Sequence, residues 1–194
     1  NLGDNYFEVQ LLGDILVNMP LDLVIADFDL DGYQDILVSL RDDNPTRFMM
    51  VLLANRQGLG GERILVDETS VAGFTGTAYF QGMAAADYDL DGKTDLYLSR
   101  VETAPLYFKA RARAGSTQNH WLGVRLSSPY GANNTLGLGA TVTITAGSLT
   151  QSQVVDGGSG RASQHEGDLI FGLGSYTGTV QVDIAWPNGR HQST

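Results

Sequence analysis

The sequence predicts an all-β protein in two parts, and two observations carry that expectation. One carboxylate pattern occurs twice, as Asp27-Phe28-Asp29-Leu30-Asp31-Gly32-Tyr33-Gln34-Asp35 and as Asp87-Tyr88-Asp89-Leu90-Asp91-Gly92-Lys93-Thr94-Asp95, each copy bordered by short, apolar, β-branched runs. The later part of the chain shows no such pattern, only short alternating runs separated by Gly, Ser and Asn clusters.

In chain order, residues 21–26 and 36–40 read as strands on either side of the first acidic loop, and Leu96, Tyr97 and Leu98 open the strand after the second. Aligned at an offset of sixty positions, Phe28 meets Tyr88, Leu30 meets Leu90, Ile36 meets Leu96 and Ser39 meets Ser99, so each copy is one supersecondary unit. Residues 1–9 echo residues 55–64 weakly, which predicts that the chain begins inside a unit. The repeat stops in an Ala-, Arg-, Gly- and Ser-rich stretch at 110–118, and the expected boundary lies there, between residues 1–115 and residues 116–194. Beyond it, 121–126, 140–145, 153–155, 169–171 and 180–186 read as strands, and Pro187-Asn188-Gly189 as a hairpin turn with only a short returning strand after it.

The carboxylate spacing has a chemical meaning. Oxygen ligands at positions 1, 3, 5 and 9, a backbone carbonyl at 7 and glycine at 6 for the turn let a short loop wrap a hard cation. The expected ligands of two calcium ions are therefore Asp27, Asp29, Asp31, Asp35 and the Tyr33 carbonyl, then Asp87, Asp89, Asp91, Asp95 and the Lys93 carbonyl. Carboxylates about 5 Å apart repel by roughly 3 kcal/mol per pair at an effective dielectric of about 20, so the ion is expected to be part of the fold. An EF-hand is excluded, because its position-12 glutamate is replaced by Val38 and Leu98 and helices do not flank the loops. Asp42-Asp43 reads as an ordinary acidic surface turn.

Composition narrows the function classes. A chain of 194 residues with 42% hydrophobic content can bury a core, and a net charge of −10 argues against nucleic acid and anionic membranes as partners. Without cysteine there is neither a disulfide nor thiol chemistry, and no apolar run reaches membrane-spanning length. Weak calcium modules exploit the millimolar calcium outside cells, which favours a secreted or cell-surface location.

The Asp loops and their strands resemble FG-GAP or VCBS repeats, which form four-stranded blades of a β-propeller. The motifs Asn119-His120-Trp121-Leu122-Gly123-Val124-Arg125-Leu126, Gly137-Leu138-Gly139-Ala140-Thr141-Val142, Gly157-Gly158-Ser159-Gly160, Phe171-Gly172-Leu173-Gly174 and Trp186-Pro187-Asn188-Gly189, in that order, resemble the ASPIC/UnbV domain of the cartilage-acidic-protein-like family. The resemblance implies partial β-propeller blades followed by an all-β, sandwich-like domain, an extracellular location, calcium dependence and contacts with proteins or glycans. Asn133-Asn134-Thr135-Leu136 departs from the family's Asn-Arg pair, so no arginine role is carried over. A propeller closes with roughly four to eight blades, whereas residues 1–115 hold two and fragments; further blades are expected from a longer protein or from neighbouring chains.

Other constellations read as structural. His120, His165 and His191 lack metal-ligand spacing. Ser159 fails the nucleophile-elbow pattern because Arg161 stands where its last glycine belongs, and His165, Glu166 and Asp168 have no identifiable oxyanion donor. Gly137-Leu138-Gly139 and Gly172-Leu173-Gly174 lack the third glycine of a dinucleotide loop and read as places where chains bend or approach closely. Trp121 and Trp186 read as core, Tyr130 and Tyr176 as surface aromatics open to sugar stacking, and Asn133 as a glycosylation sequon. The expected function is that of a non-catalytic, calcium-binding module in adhesion or extracellular assembly. A glycan-binding module and a fibre subunit formed from copies of the chain are the alternatives.

Overall fold

The computed structural model describes residues 19–41, 48–74, 80–100, 104–112, 119–128, 134–158, 160–161 and 163–194, and every regular element among them is a β-strand. Residues 1–18, Asp42, Asp43, Tyr130, Asn133 and Ser159 lie outside the described residues.

Strands β1 (Met19–Ala26), β2 (Asp35–Arg41), β3 (Phe48–Gln57) and β4 (Arg63–Asp67) form an antiparallel meander in that order. Strands β5 (Phe80–Ala86), β6 (Asp95–Arg100) and β7 (Leu106–Phe108) form a second, three-stranded meander. The repeat seen in the sequence survives in detail: β1 pairs β2 as β5 pairs β6, with a register shift after Pro20 in one and after Phe80 in the other.

Alternation along each strand sorts side chains to two faces. In β2 and β3, Leu37, Met50 and Leu52 join Val24 of β1 and Met83, Ala85, Leu96 and Leu98 of the second sheet in one shared core. Their sequence neighbours Val38, Leu40, Val51 and Leu53 form a separate cluster with Ile36 and Leu65. Burial on both faces explains why β2 and β3 read as nearly continuous apolar runs.

In the later half, β8 (His120–Val124) pairs β11 (Leu169–Gly174), while β10 (Leu149–Val154), β9 (Thr141–Ala146), β12 (Val180–Ala185) and β13 (His191–Ser193) form a four-stranded sheet in that order. Both sheets contribute to one core, with Val142, Ile144 and Ile184 from the larger sheet and Leu169, Phe171 and Leu173 from the smaller. The strand expected at 153–155 begins earlier, at Leu149. Its polar Thr150-Gln151-Ser152 segment hides it from a hydrophobicity reading, and pairing with β9 across the Gly147-Ser148 turn, where Gly147 has φ +62°, makes it a strand. The Pro187-Asn188-Gly189 turn is present: Gly189 has φ +81°, and its N–H donates to Trp186 O at 3.0 Å.

The two halves meet along the free edge of β5. The Met83 N–H donates to Asp22 Oδ2 of β1 at 2.8 Å, while the N–H groups of Ala85 and of Asp87, just past the strand, donate to His165 Nδ1 at 3.0 Å and Glu166 Oε1 at 2.5 Å in the C-terminal half. The Glu166 N–H returns a bond to Ala85 O at 3.1 Å, so the segment around residue 165 covers an edge that would otherwise invite another strand.

Candidate metal centres

Each acidic loop is the connection of a hairpin, β1 to β2 and β5 to β6. Both take the same unusual path: Leu30 and Leu90 have φ of 61° and 60°, and Gly32 and Gly92 have φ of 95° and 84°. Glycine adopts that region freely, whereas leucine does so at a cost of about 1–2 kcal/mol.

The carboxylates themselves hold this path. In the first loop Asp27 accepts the N–H groups of Asp31 at 3.0 Å and Gly32 at 2.7 Å, and Asp31 Oδ1 accepts that of Tyr33 at 2.9 Å. In the second, Asp87 accepts from Asp91 at 3.0 Å and Gly92 at 2.8 Å, and Asp91 Oδ1 accepts from Lys93 at 3.0 Å. The ninth-position carboxylates tie each loop outward: Asp35 Oδ1 accepts the Asn55 N–H of β3 at 2.7 Å, and Asp95 Oδ1 the Ala110 N–H just after β7 at 2.7 Å.

Carboxylate oxygens of Asp27, Asp29 and Asp35 lie within 4.8 Å of one another, as do those of Asp87, Asp89 and Asp91. The loops thus gather different trios. Asp31 is drawn aside by Arg56 at 3.8 Å and Arg63 at 3.5 Å, and Asp95 by the Tyr107 hydroxyl, which donates to its Oδ2 at 2.6 Å. Both trios consist of hard oxygen donors, a set that suits calcium and would supply part of its 6–8 ligands.

Crowding leaves an electrostatic signature in the first loop. Burial, reinforced by Asp31, Asp29 and Asp35, pushes the Asp27 carboxyl up to about 8, and burial pushes Asp35 up to about 6. Asp31 is also raised, by burial and then by Asp29. In the second loop Lys109 pairs with Asp89 and holds it below the usual carboxylate range.

Most of the counter-charges come from segments remote in sequence. Arg56 Nη1 stands 2.7 Å from Asp29 Oδ2, an ion pair without hydrogen-bond alignment, while the same guanidinium bonds Glu68 at 2.8 and 2.9 Å. Arg63 lies 3.4 Å over the Tyr33 ring, and Lys93 Nζ is 3.1 Å from Asp91 Oδ2. No spacing rule finds Arg56, Arg63 or Lys109, because sheet pairing brings them to the loops, whereas Lys93 lies within the second loop itself.

Two expectations outside the loops change. Trp121, read as core, is 38% exposed and lies flat against Gly92, where a Cβ would overlap the indole. Tyr176, read as a surface platform, packs against the C-terminal core and donates its hydroxyl to Thr179 O at 2.9 Å. The three residues that invited a hydrolytic reading have other partners: His165 and Glu166 bond β5, and Asp168 pairs with Arg125.

Among the described residues no helix is long and apolar enough to cross a membrane. Residues 130–194 match the family model described as ASPIC and UnbV. Over 176 residues the chain is 28% identical to cartilage acidic protein 1 of Xenopus tropicalis, a match covering 88% of this chain and 26% of that protein. Cartilage acidic protein 1 of Homo sapiens is 26% identical over 172 residues, covering 87% of this chain and 25% of the relative. The chain therefore spans about a quarter of the length of the curated relatives it matches, and its similarity to them runs through both acidic loops and the ASPIC and UnbV segment.

Proposed function

We propose that the chain is a non-catalytic, calcium-stapled module of a secreted or cell-surface protein, working in adhesion or extracellular assembly. Residues 1–115 are then FG-GAP or VCBS repeats, blades of a β-propeller completed elsewhere, and residues 116–194 an ASPIC/UnbV domain. The single observation that carries the reading is the duplicated loop: two trios of convergent carboxylates on the same left-handed backbone path. Asp27, Asp29 and Asp35 would hold one ion and Asp87, Asp89 and Asp91 the other, with Asp31 and Asp95 turning inward once a divalent charge outcompetes Arg56, Arg63 and Tyr107. The similarity to proteins named for cartilage and for acidity supports an extracellular setting, where such loops meet enough calcium to stay filled. The partners are extracellular proteins or glycans. Copies of the same chain are a second reading, favoured by β4, an edge strand that exposes Ile64 and Val66.

Calorimetric titration of the chelator-treated chain with calcium tests this directly. Binding of two ions is expected, and at a hundredfold excess over the dissociation constant each ion adds about 2.7 kcal/mol to stability. Asp29→Ala combined with Asp89→Ala is expected to remove both the heat and the stabilisation. A melting temperature that ignores chelator and calcium alike refutes the proposal.

A further inference from the structure

The acidic loops are also the surface on which the C-terminal half rests. At the first loop, the Gly174 N–H donates to Leu30 O at 2.9 Å and Asn119 Nδ2 to Asp29 O at 2.8 Å. Gly172 has no room for a side chain, since a Cβ would overlap Asp27 Oδ2 and stand 2.5 Å from the Leu30 carbonyl carbon. A Cβ on Gly32 would stand 2.5 Å from Leu149 Cδ2. At the second loop, the Asp87 N–H donates to Glu166 Oε1 and the Trp121 indole covers Gly92.

These contacts fall mostly on backbone, at positions 1, 3, 4 and 6 of the ligand pattern. They require the loops in their observed shape, which includes a left-handed leucine in each. The Asp27 and Asp87 hydrogen bonds shape the loops from within, while clustered negative charge and that leucine oppose the shape, and a bound cation would remove the charge opposition.

We propose that the loops are calcium-dependent docking posts: an ion fixes each loop's backbone, that backbone is what the C-terminal half grips, and calcium thereby sets how firmly the two halves are joined. The proposal rests on the calcium reading above. It adds that Asn119, Trp121 and Gly172, none of them a ligand, are coupled to the ions. Coupling is reciprocal, so loosening the junction must weaken calcium binding as calcium tightens the junction.

The test uses the full chain carrying Trp186→Phe, which leaves Trp121 as the sole tryptophan. Calcium is titrated in parallel experiments, one following heat and one following acrylamide quenching of Trp121 fluorescence. Quenching is expected to fall over the calcium range in which heat is released and to recover in chelator. In the Trp186→Phe background, Gly172→Val is expected to weaken calcium binding by about fivefold or more. Asn119→Ala, which removes one exposed hydrogen bond, keeps this arm available if the valine variant does not fold. Calcium heat with unchanged quenching and unchanged affinity in both variants overturns the docking proposal and leaves the calcium reading intact. Absence of any calcium heat overturns both.

Discussion

Gly172, in the middle of a C-terminal strand, faces the Asp27 carboxylate of the first acidic loop so closely that a methyl group between them would overlap an oxygen. The neighbour is a constrained carboxylate and the backbone of Leu30 rather than a flexible chain end, so neither side can give way cheaply. Gly172→Ala is therefore expected to destabilise the protein by about 1–3 kcal/mol through overpacking. Gly167→Ala, where a Cβ meets nothing within 4 Å, is the control and should change stability by less than about 0.5 kcal/mol. Equal urea midpoints for the two variants would contradict this account of the junction.

Much of the fold was readable in the sequence because its signals are local. Both acidic loops, their flanking strands, the offset of sixty and the Gly189 turn depend on residue types within a few positions of one another. The Gly172-Leu173-Gly174 motif predicts a place of close approach, and Gly172 is one, although what approaches it comes from the other half of the chain. What escaped was long-range. Arg56, Arg63 and Lys109 reach the carboxylates only after β3, β4 and β7 pair, and His165 and Glu166 reach β5 only after the halves dock. Trp121 differs from the core position its strand pattern predicts for the same reason, since its neighbour Gly92 is far away in sequence.

The buried carboxyls of the first loop predict how the calcium-free protein responds to pH. Asp27 is pushed up to about 8 and Asp35 to about 6, from an unperturbed value of 3.8. The folded chain then holds protons that the unfolded chain has released, so stability falls as pH rises from about 4 to about 8. This contribution is complete below the unfolded value and lost once pH passes the folded one. On the proposed calcium reading, the ion takes the place of those protons. Melting temperatures in chelator should drop between about pH 5 and pH 8, and millimolar calcium should flatten the drop. Parallel declines with and without calcium would count against the first loop as a cation site.

Leu30 and Leu90 share one backbone conformation but have opposite surroundings, the first 4% exposed beneath the C-terminal half and the second 71% exposed. Asparagine tolerates the left-handed region better than leucine. Leu90→Asn should relieve strain with little packing lost and stabilise by up to about 1 kcal/mol. Leu30→Asn should destabilise by about 2–5 kcal/mol, because the lost burial outweighs the relieved strain. Chemical denaturation of the two variants should show opposite signs. Matching signs would mean that Leu30 is not seated against the C-terminal half as described.

Asp22 is a buried acceptor at the meeting point of three segments. Its Oδ1 takes the N–H groups of Leu23 at 2.9 Å and Arg161 at 3.0 Å, and its Oδ2 takes that of Met83 at 2.8 Å. Asp22→Asn keeps the shape but turns one oxygen into a donor that faces another donor. Leaving a buried N–H unsatisfied costs about 1–3 kcal/mol, and the loss should fall on the junction. Hydrogen exchange is expected to quicken at Met83 and Arg161 while the C-terminal core strand β9 keeps its protection; uniform quickening would assign Asp22 a general rather than a local role.

If the first loop binds calcium as proposed, Arg56 has opposite effects in its two states. Without calcium it is the counter-ion of Asp29 at 2.7 Å and Asp31 at 3.8 Å, and it anchors to Glu68 as well. With calcium present it is a like charge beside a divalent ion. Arg56→Gln should therefore destabilise the chelated protein yet tighten calcium binding. At this partly exposed position solvent reduces the repulsion to about 1 kcal/mol, which corresponds to roughly fivefold in affinity. The second loop, whose cations are Lys93 and Lys109, should keep its affinity and serve as the internal standard. Calorimetry resolving two sites distinguishes the cases: one site tightened in Arg56→Gln supports the assignment of Asp27, Asp29 and Asp35 to an ion, whereas weakened binding would make Arg56 a brace that the filled loop still needs.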